Sequence, residues 1–209
     1  MSPDTMPTPD RPSDAPPGER AWDQRYAENP WSTEPDPALI ELVGSVVPGK
    51  ALDLGCGPGR NAVWLATQNW DVTGVDASGV GLAQARERAA DAGVSLTLVK
   101  ADLLAYRPPT AQFDLVVIAN IHLAPPERER LFADAAAALA LGGHLFVVGH
   151  HLDSLGRAGP PDPVRLYTEE RLRDLFPTLR VDRLERHERS PEPGEQPLVD
   201  VIVWATRAR

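Results

Sequence analysis

The sequence predicts an α/β fold, a doubly wound and mostly parallel seven-stranded sheet with an antiparallel C-terminal hairpin. Three observations predict it. Short apolar runs alternate with amphipathic stretches from Lys50 to Gly149, the order that gives a parallel sheet covered by helices on both faces. A glycine cluster, Gly55-Cys-Gly-Pro-Gly59, joins the first apolar run to the helix after it. Two late strands, 181–186 and 199–205, flank the polar stretch from Glu188 to Pro197 and read as a hairpin.

The elements follow in order. Residues 1–18 hold six prolines and almost no large apolar side chains, so a disordered tail is expected there. The domain is expected over 19–209, with 19–48 forming N-terminal helices. Trp22 and Tyr26 lie four apart on one face of the first helix, Trp31 follows, and Pro37 opens the second helix. Ala51 to Leu54 is a buried strand stopped by Gly55, and Arg60 to Gln68 is a helix. Asp71 to Val75 is a strand, after which Ser78 caps a helix that stops at Gly93. Leu96 to Val99 and Phe113 to Ala119 are strands. Pro125 starts an Ala-rich helix expected to run to Gly142-Gly143, before a strand from His144 to Gly149. A Gly- and Pro-rich loop spans Ser154 to Val164, and Thr168 caps a helix reaching Leu175.

A chain of 209 residues suits one domain with a sizeable core. Its formal net charge of −9 argues against a nucleic-acid backbone or an anionic membrane as partner, since both need clustered cations. There is no apolar run of membrane-spanning length and no apolar leader segment. The single cysteine, Cys56, excludes an internal disulfide, and a cytoplasmic location is expected. Nothing in the sequence signals an oligomeric state.

The glycine loop carries the chemistry. Glycines let a ligand approach the backbone without meeting a Cβ. Dinucleotide loops read G-x-G-x-x-G and cradle a pyrophosphate. This loop reads G-x-G-x-G and is preceded by Asp53, whose charge would repel a pyrophosphate and attract a cation. Asp76 ends the second strand, where a carboxylate can accept ribose hydroxyls, with Ala77 beside it. Asp102 ends the third strand, placed to accept an adenine amino group while Leu103 offers a backbone N–H. Each aspartate alone would read as a cap or a turn. Three at successive strand ends beside a glycine loop point to a nucleoside ligand.

These residues resemble the class I S-adenosylmethionine-dependent methyltransferases, over residues 50–150. The resemblance implies a Rossmann-like fold, S-adenosyl-L-methionine as methyl donor and S-adenosyl-L-homocysteine as product. It implies cofactor contacts from Asp53, Gly55, Cys56, Gly57, Gly59, Arg60, Asn61, Asp76, Ala77, Asp102, Leu103 and Asn120. The run Leu52-Asp-Leu-Gly-Cys-Gly-Pro-Gly-Arg-Asn61 with Trp64-Leu-Ala is similar to the tellurite-resistance and thiopurine methyltransferase branch. So is Trp22-Asp-Gln-Arg-Tyr26 with Trp31, which in that branch forms a lid over the cofactor. His187 and Arg189 resemble an acceptor-facing His and Arg of the tellurite-methylating enzymes, with one extra residue between them here.

The acceptor is expected to be a small molecule, since the domain is compact, acidic and has no appended recognition module. A thiol or chalcogen oxyanion follows from the resemblance, with Arg60, His187 and Arg189 supplying positive charge. The alternatives are a hydroxyl or amine of a metabolite, with His122 as base, or a binding module without chemistry. For His122, a base and a buried imidazole bonded to backbone remain open readings. His150-His151 raises a metal site, but neighbours on a strand point to opposite faces, so no metal is expected. Asn120-Ile-His-Leu123 departs from the Asn/Asp-Pro-Pro-aromatic run of enzymes that methylate nucleic-acid amino groups. Cys56 reads as a packed small residue.

Overall fold

The computed structural model describes residues 19–28, 31–189 and 197–208. The expected tail over 1–18 and most of the loop before Pro197 lie outside them.

Fifteen elements follow one another, beginning with helix α1 (Glu19–Glu28) and helix α2 (Pro37–Val43). The sheet comprises β1 (Lys50–Leu54), β2 (Asp71–Asp76), β3 (Thr97–Lys100), β4 (Phe113–Ala119), β5 (Leu139–His150), β6 (Arg180–Arg189) and β7 (Leu198–Thr206). The connecting helices are α3 (Arg60–Thr67), α4 (Gly79–Asp91), α5 (Pro125–Ala138) and α6 (Glu169–Arg173). Two 3-10 turns, Leu152–Ser154 and Pro163–Arg165, punctuate the segment after β5.

The strand order is β3-β2-β1-β4-β5-β7-β6. The first five strands are parallel, and β7 runs antiparallel to both β5 and β6. The late hairpin therefore returns its second strand into the sheet and leaves β6 at the edge. Alternation along the central strands builds one core on each face. Val116, Ile118, Leu145 and Val147 face the layer that includes Leu131, Phe132 and Tyr167. Leu115, Val117, Phe146 and Val148 face the layer that includes Leu39, Leu65 and Trp70.

Helix starts follow the sequence closely. Ser78 Oγ accepts the N–H of Gly81, Asp36 accepts that of Ala38, and Thr168 accepts that of Arg171. Three boundaries differ. The Ala-rich helix stops at Ala138 rather than Gly142, because Leu139 is captured in pairing with Phe113. Helix propensity is a weak preference, and a sheet partner overrides it. Gly142, at φ 82°, then turns the chain within the long strand. The last helix ends at Arg173, short of Leu175, while β6 extends through Glu188 to Arg189.

Gly59 caps α3 at φ 82°, and a Cβ there would stand 2.8 Å from that of Ala85. Gly59→Ala should cost about 1–2 kcal/mol, from left-handed strain plus the contact. Urea denaturation checks this.

Candidate active site

The glycine loop leaves the carboxyl end of β1, beside the point where the strand order reverses between β1 and β4. Open α/β sheets bind ligands in the crevice at such a point. Gly55, Gly57 and Gly59 all adopt positive φ (80°, 49° and 82°), which L side chains rarely tolerate. Ile121, Tyr26 and Ala85 pack so closely on Gly55, Gly57 and Gly59 in turn that a Cβ would clash at each.

Asp53 is 1% exposed, and its Oδ2 has no hydrogen-bond partner. Burial lifts its carboxyl to about 7, opposed by the Arg60 guanidinium and reinforced by the Asp76 carboxylate. A buried polar oxygen without a partner is costly unless a ligand completes it. Asp76, also buried, accepts the N–H of Gly57 at Oδ2 and of Ser78 at Oδ1, both at 2.8 Å. It therefore welds the loop to the start of α4. Each carboxylate oxygen retains a second lone pair for a ribose hydroxyl. Burial raises Asp76 against these two bonds.

Helix α1 lies over this loop. Asp23 accepts from Ser78 Oγ (2.5 Å) and from the N–H of Val80 (3.1 Å), anchoring α1 at the N-terminus of α4. That amide end favours an anion. Tyr26 is 8% exposed and rests on the loop, where a Cβ at Gly57 would come within 2.6 Å of its Oη. Trp22 stacks on Tyr26 with ring centroids 5.8 Å apart, and Trp31 meets it edge-on at 5.1 Å.

The other expected cofactor residues divide. Asn61 is buried, and its Oδ1 accepts the N–H of Asp36, so its side chain fixes the segment entering α2. Arg60 stands 3.9 Å from Asp36. Cys56 turns into the core, where a Cβ on Gly74 would meet its Sγ at 2.9 Å, and burial raises the thiol well above its ordinary range. Its Sγ also reaches the carbonyl of Gly57 at 3.8 Å. Ala77 follows Asp76 into the start of α4. Asp102 is exposed and accepts the N–H of Leu104, which caps the turn after β3. Leu103 and Ile121 close around Gly55. Asn120 ends β4 at φ 59°, its N–H bonded to Val148.

On the acceptor side, His122 and His150 stack in parallel, 5.1 Å apart, at the ends of β4 and β5. His122 Nδ1 meets the carbonyl of Arg165 at 3.2 Å, and Nε2 meets the N–H of His150 at 3.3 Å. One tautomer satisfies both, with Nδ1–H donating and Nε2 accepting. Burial and the neighbouring His150 lower it to about 4. Both nitrogens are committed to backbone, so this arrangement leaves His122 no lone pair for base catalysis.

Arg189 and His187 both approach Asp200. Arg189 Nε lies 2.7 Å from Asp200 Oδ2, and His187 stands opposite Asp200 in the β6–β7 register. His151 diverges from His150 as strand alternation requires, toward Asp153 and Glu169. Among the described residues no group of three His, Cys, Asp or Glu could hold a metal ion. A groove of about 420 Å³ between α3 and α4 is lined by Trp64, Thr67, Arg88 and Asp91 and reaches Gly59 and Arg60 at the end of the glycine loop.

Sequence reasoning missed Asp200, Asp23 and Arg128. Asp200 had a signal, as the charged residue of the apolar run Leu198-Val-Asp-Val-Ile-Val-Trp204. Arg128 had one too, on the apolar stripe of α5 with Leu131, Phe132 and Ala135. Its guanidinium is buried against the carbonyl of Val164 and the ring of Tyr167, and its Nε has no hydrogen-bond partner.

Fold and loop together define a class I methyltransferase fold. Residues 51–143 match the family model described as a methyltransferase domain. The trans-aconitate 2-methyltransferase of Sinorhizobium medicae is 31% identical over 166 residues, covering 78% of this chain and 60% of that protein. Three other curated relatives are spanned over 33–57% of their length. TehB from Haemophilus influenzae superposes with a TM-score of 0.68 at 18% identity, covering 91% of this chain and 67% of that one. The N-methyltransferase NodS from Bradyrhizobium japonicum, solved with S-adenosyl-L-homocysteine, gives 0.71 at 18% identity, covering 91% and 98%. No helix among the described residues is long and apolar enough to cross a membrane.

Asp53 generates a pH-dependent prediction. Its carboxyl sits at about 7 in the folded chain against an ordinary 3.8, so the unfolded chain loses this proton first. Ionising Asp53 therefore costs the cofactor-free protein stability as pH rises through that window. Asp53→Asn should raise the melting temperature more at about pH 8 than at about pH 5. It should also weaken S-adenosyl-L-homocysteine binding by about 10- to 100-fold, measured by calorimetry.

Proposed function

We propose that this chain transfers a methyl group from S-adenosylmethionine to an oxygen of a small-molecule acceptor held at the carboxyl ends of β4 and β5. One observation carries the cofactor assignment: the buried, unpartnered Oδ2 of Asp53 beside three glycines of positive φ. That oxygen suits a cationic group of the ligand, as a pyrophosphate would not. When bound, S-adenosylmethionine supplies an electrophilic methyl on a sulfonium. Gly55 and Gly57 let it reach the backbone, Asp76 takes the ribose hydroxyls, and Leu103 with Ile121 packs the adenine above the exposed Asp102. Trp22, Tyr26 and Trp31 exclude water from the loop. Displacement at a methyl carbon gains chiefly from such positioning and desolvation.

The acceptor reading rests on the acceptor end of the sheet. A chalcogen oxyanion or thiol held by Arg60, His187 and Arg189 is disfavoured, because Arg189 is paired with Asp200 and Arg60 stands beside Asp36. An oxygen acceptor draws support from relatives named for trans-aconitate and for ubiquinone biosynthesis O-methylation. The single cysteine is buried and needs no oxidising compartment, which supports a cytoplasmic location. The domain proper is taken as 19–209, with 19–48 as the lid segment.

Calorimetry with S-adenosyl-L-homocysteine should give micromolar affinity, lost in Asp76→Ala. Failure to bind, or preference for NAD, would overturn the cofactor assignment. A panel assay of S-adenosyl-L-homocysteine release should score small hydroxyl or carboxyl compounds. Release with thiols or tellurite alone would overturn the oxygen assignment.

A further inference from the structure

His150 ends β5 directly across from Asp200 on β7. Its Nδ1 lies 2.9 Å from Asp200 Oδ1, and Asp200 is 4% exposed. The other Asp200 oxygen takes Arg189 Nε at 2.7 Å. These bonds fix the imidazole tautomer. The carboxylate at 2.9 Å requires a hydrogen on Nδ1, which outweighs the 3.5 Å approach of Arg189 Nη2, and in the neutral ring the lone pair is then left on Nε2, which has no hydrogen-bond partner among the described residues. The His150 side chain keeps 17% of its surface exposed. One flank of the ring rests on His122, and a Cβ on Gly159 of the Gly- and Pro-rich loop would come within 3.0 Å of its Cδ2. The ring therefore stands between the β4 end and the loop that borders the acceptor region.

A cross-strand ion pair alone would need only His150, Asp200 and Arg189. Two features go beyond that. The histidine is set in one tautomer with its basic nitrogen unengaged, and its stacking neighbour His122 is locked by two backbone bonds. Asp200 is held ionised by His150 and Arg189 in spite of its burial. A buried carboxylate that orients an imidazole and stabilises its cation is the arrangement by which a histidine serves as base.

We infer that His150 is the general base of this site, oriented by Asp200 and Arg189, and that the acceptor is therefore a protic small molecule carrying a hydroxyl. This rests on the methyl-transfer reading above. In the step, the acceptor O–H gives its proton to His150 Nε2. The oxygen lone pair forms the new O–CH3 bond, the S–CH3 bond breaks, and its electron pair stays on sulfur to give the neutral thioether. His150 then returns its proton to solvent. Asp200 is a positioning residue, and Arg189 keeps it ionised. A carboxylic acid, already ionised at neutral pH, has no need of this base.

The test uses the full chain, with release of S-adenosyl-L-homocysteine as readout over matched panels of phenols, enols and carboxylic acids. His150→Gln should keep S-adenosyl-L-homocysteine affinity and melting temperature close to those of the parent chain. Its kcat on hydroxyl acceptors should fall by about 10²–10⁴-fold. Asp200→Asn should lower kcat in the same direction and shift the ascending limb of the pH–rate profile. The titratable groups around that imidazole are His122 in the segment after β4, Asp200 on β7, and His187 and Arg189 on β6. An unchanged kcat in His150→Gln overturns the proposal, as does turnover of carboxylic acids alone. Failure of the parent chain to bind S-adenosyl-L-homocysteine would strike the underlying reading instead. Should no panel compound be turned over, nitrogen-15 NMR of the parent chain decides. An imidazole protonated at Nδ1 and bare at Nε2 supports the assignment to His150, and the reverse tautomer overturns it.

Discussion

The seam between β1 and β4 is the constraint on which the rest of this molecule depends. Strands β2 and β3 extend the sheet from one side of β1, while β4 and β5 extend it from the other. The loops that leave β1 and β4 therefore diverge, and a crevice opens at their carboxyl ends. Three positive-φ glycines follow β1, and Asn120 takes a positive φ after β4. The central strands are buried on both faces, so that this opening is framed by the most rigid part of the sheet.

Negative charge is concentrated at the crevice against the usual cost of burial. Asp53 is raised because it is desolvated and near Asp76, and Asp76 is spent on two backbone donors of the loop and of α4. A third carboxylate, Asp23, enters from α1 and caps the same helix. Asp53 Oδ2, buried and without a hydrogen-bond partner, is left to be completed by a cation. The same arrangement explains how α1 is registered over the loop: its polar anchor is Asp23, and its apolar weight is Tyr26.

The acceptor end is organised differently, by pairing rather than by excess charge. The side chains that the family likeness pointed to, His187 and Arg189, converge on Asp200. His122 gives both nitrogens to backbone and becomes a support for the ring of His150. Arg128 lies buried beneath Val164 and Tyr167. The chemistry of this region thus depends on contacts between β5, β6 and β7, three strands brought together only because the last one inserts between its predecessors.

The sequence by itself determined the sheet, its parallel run, the antiparallel ending, the starts of the helices and the place of the glycine loop. These follow from local signals: apolar period, capping residues such as Ser78 and Thr168, and glycines at a strand end. Only the tertiary structure decided where the Ala-rich helix stops, because Leu139 answers to Phe113 rather than to its own helix propensity. It alone decided that Asn61 holds Asp36, that Cys56 faces the core and that His122 is bonded to backbone. It alone set His150 against Asp200, fifty positions along the chain. A single sequence shows residue types and spacing, whereas the tautomer of an imidazole or the partner of a carboxylate depends on which strand lies beside it.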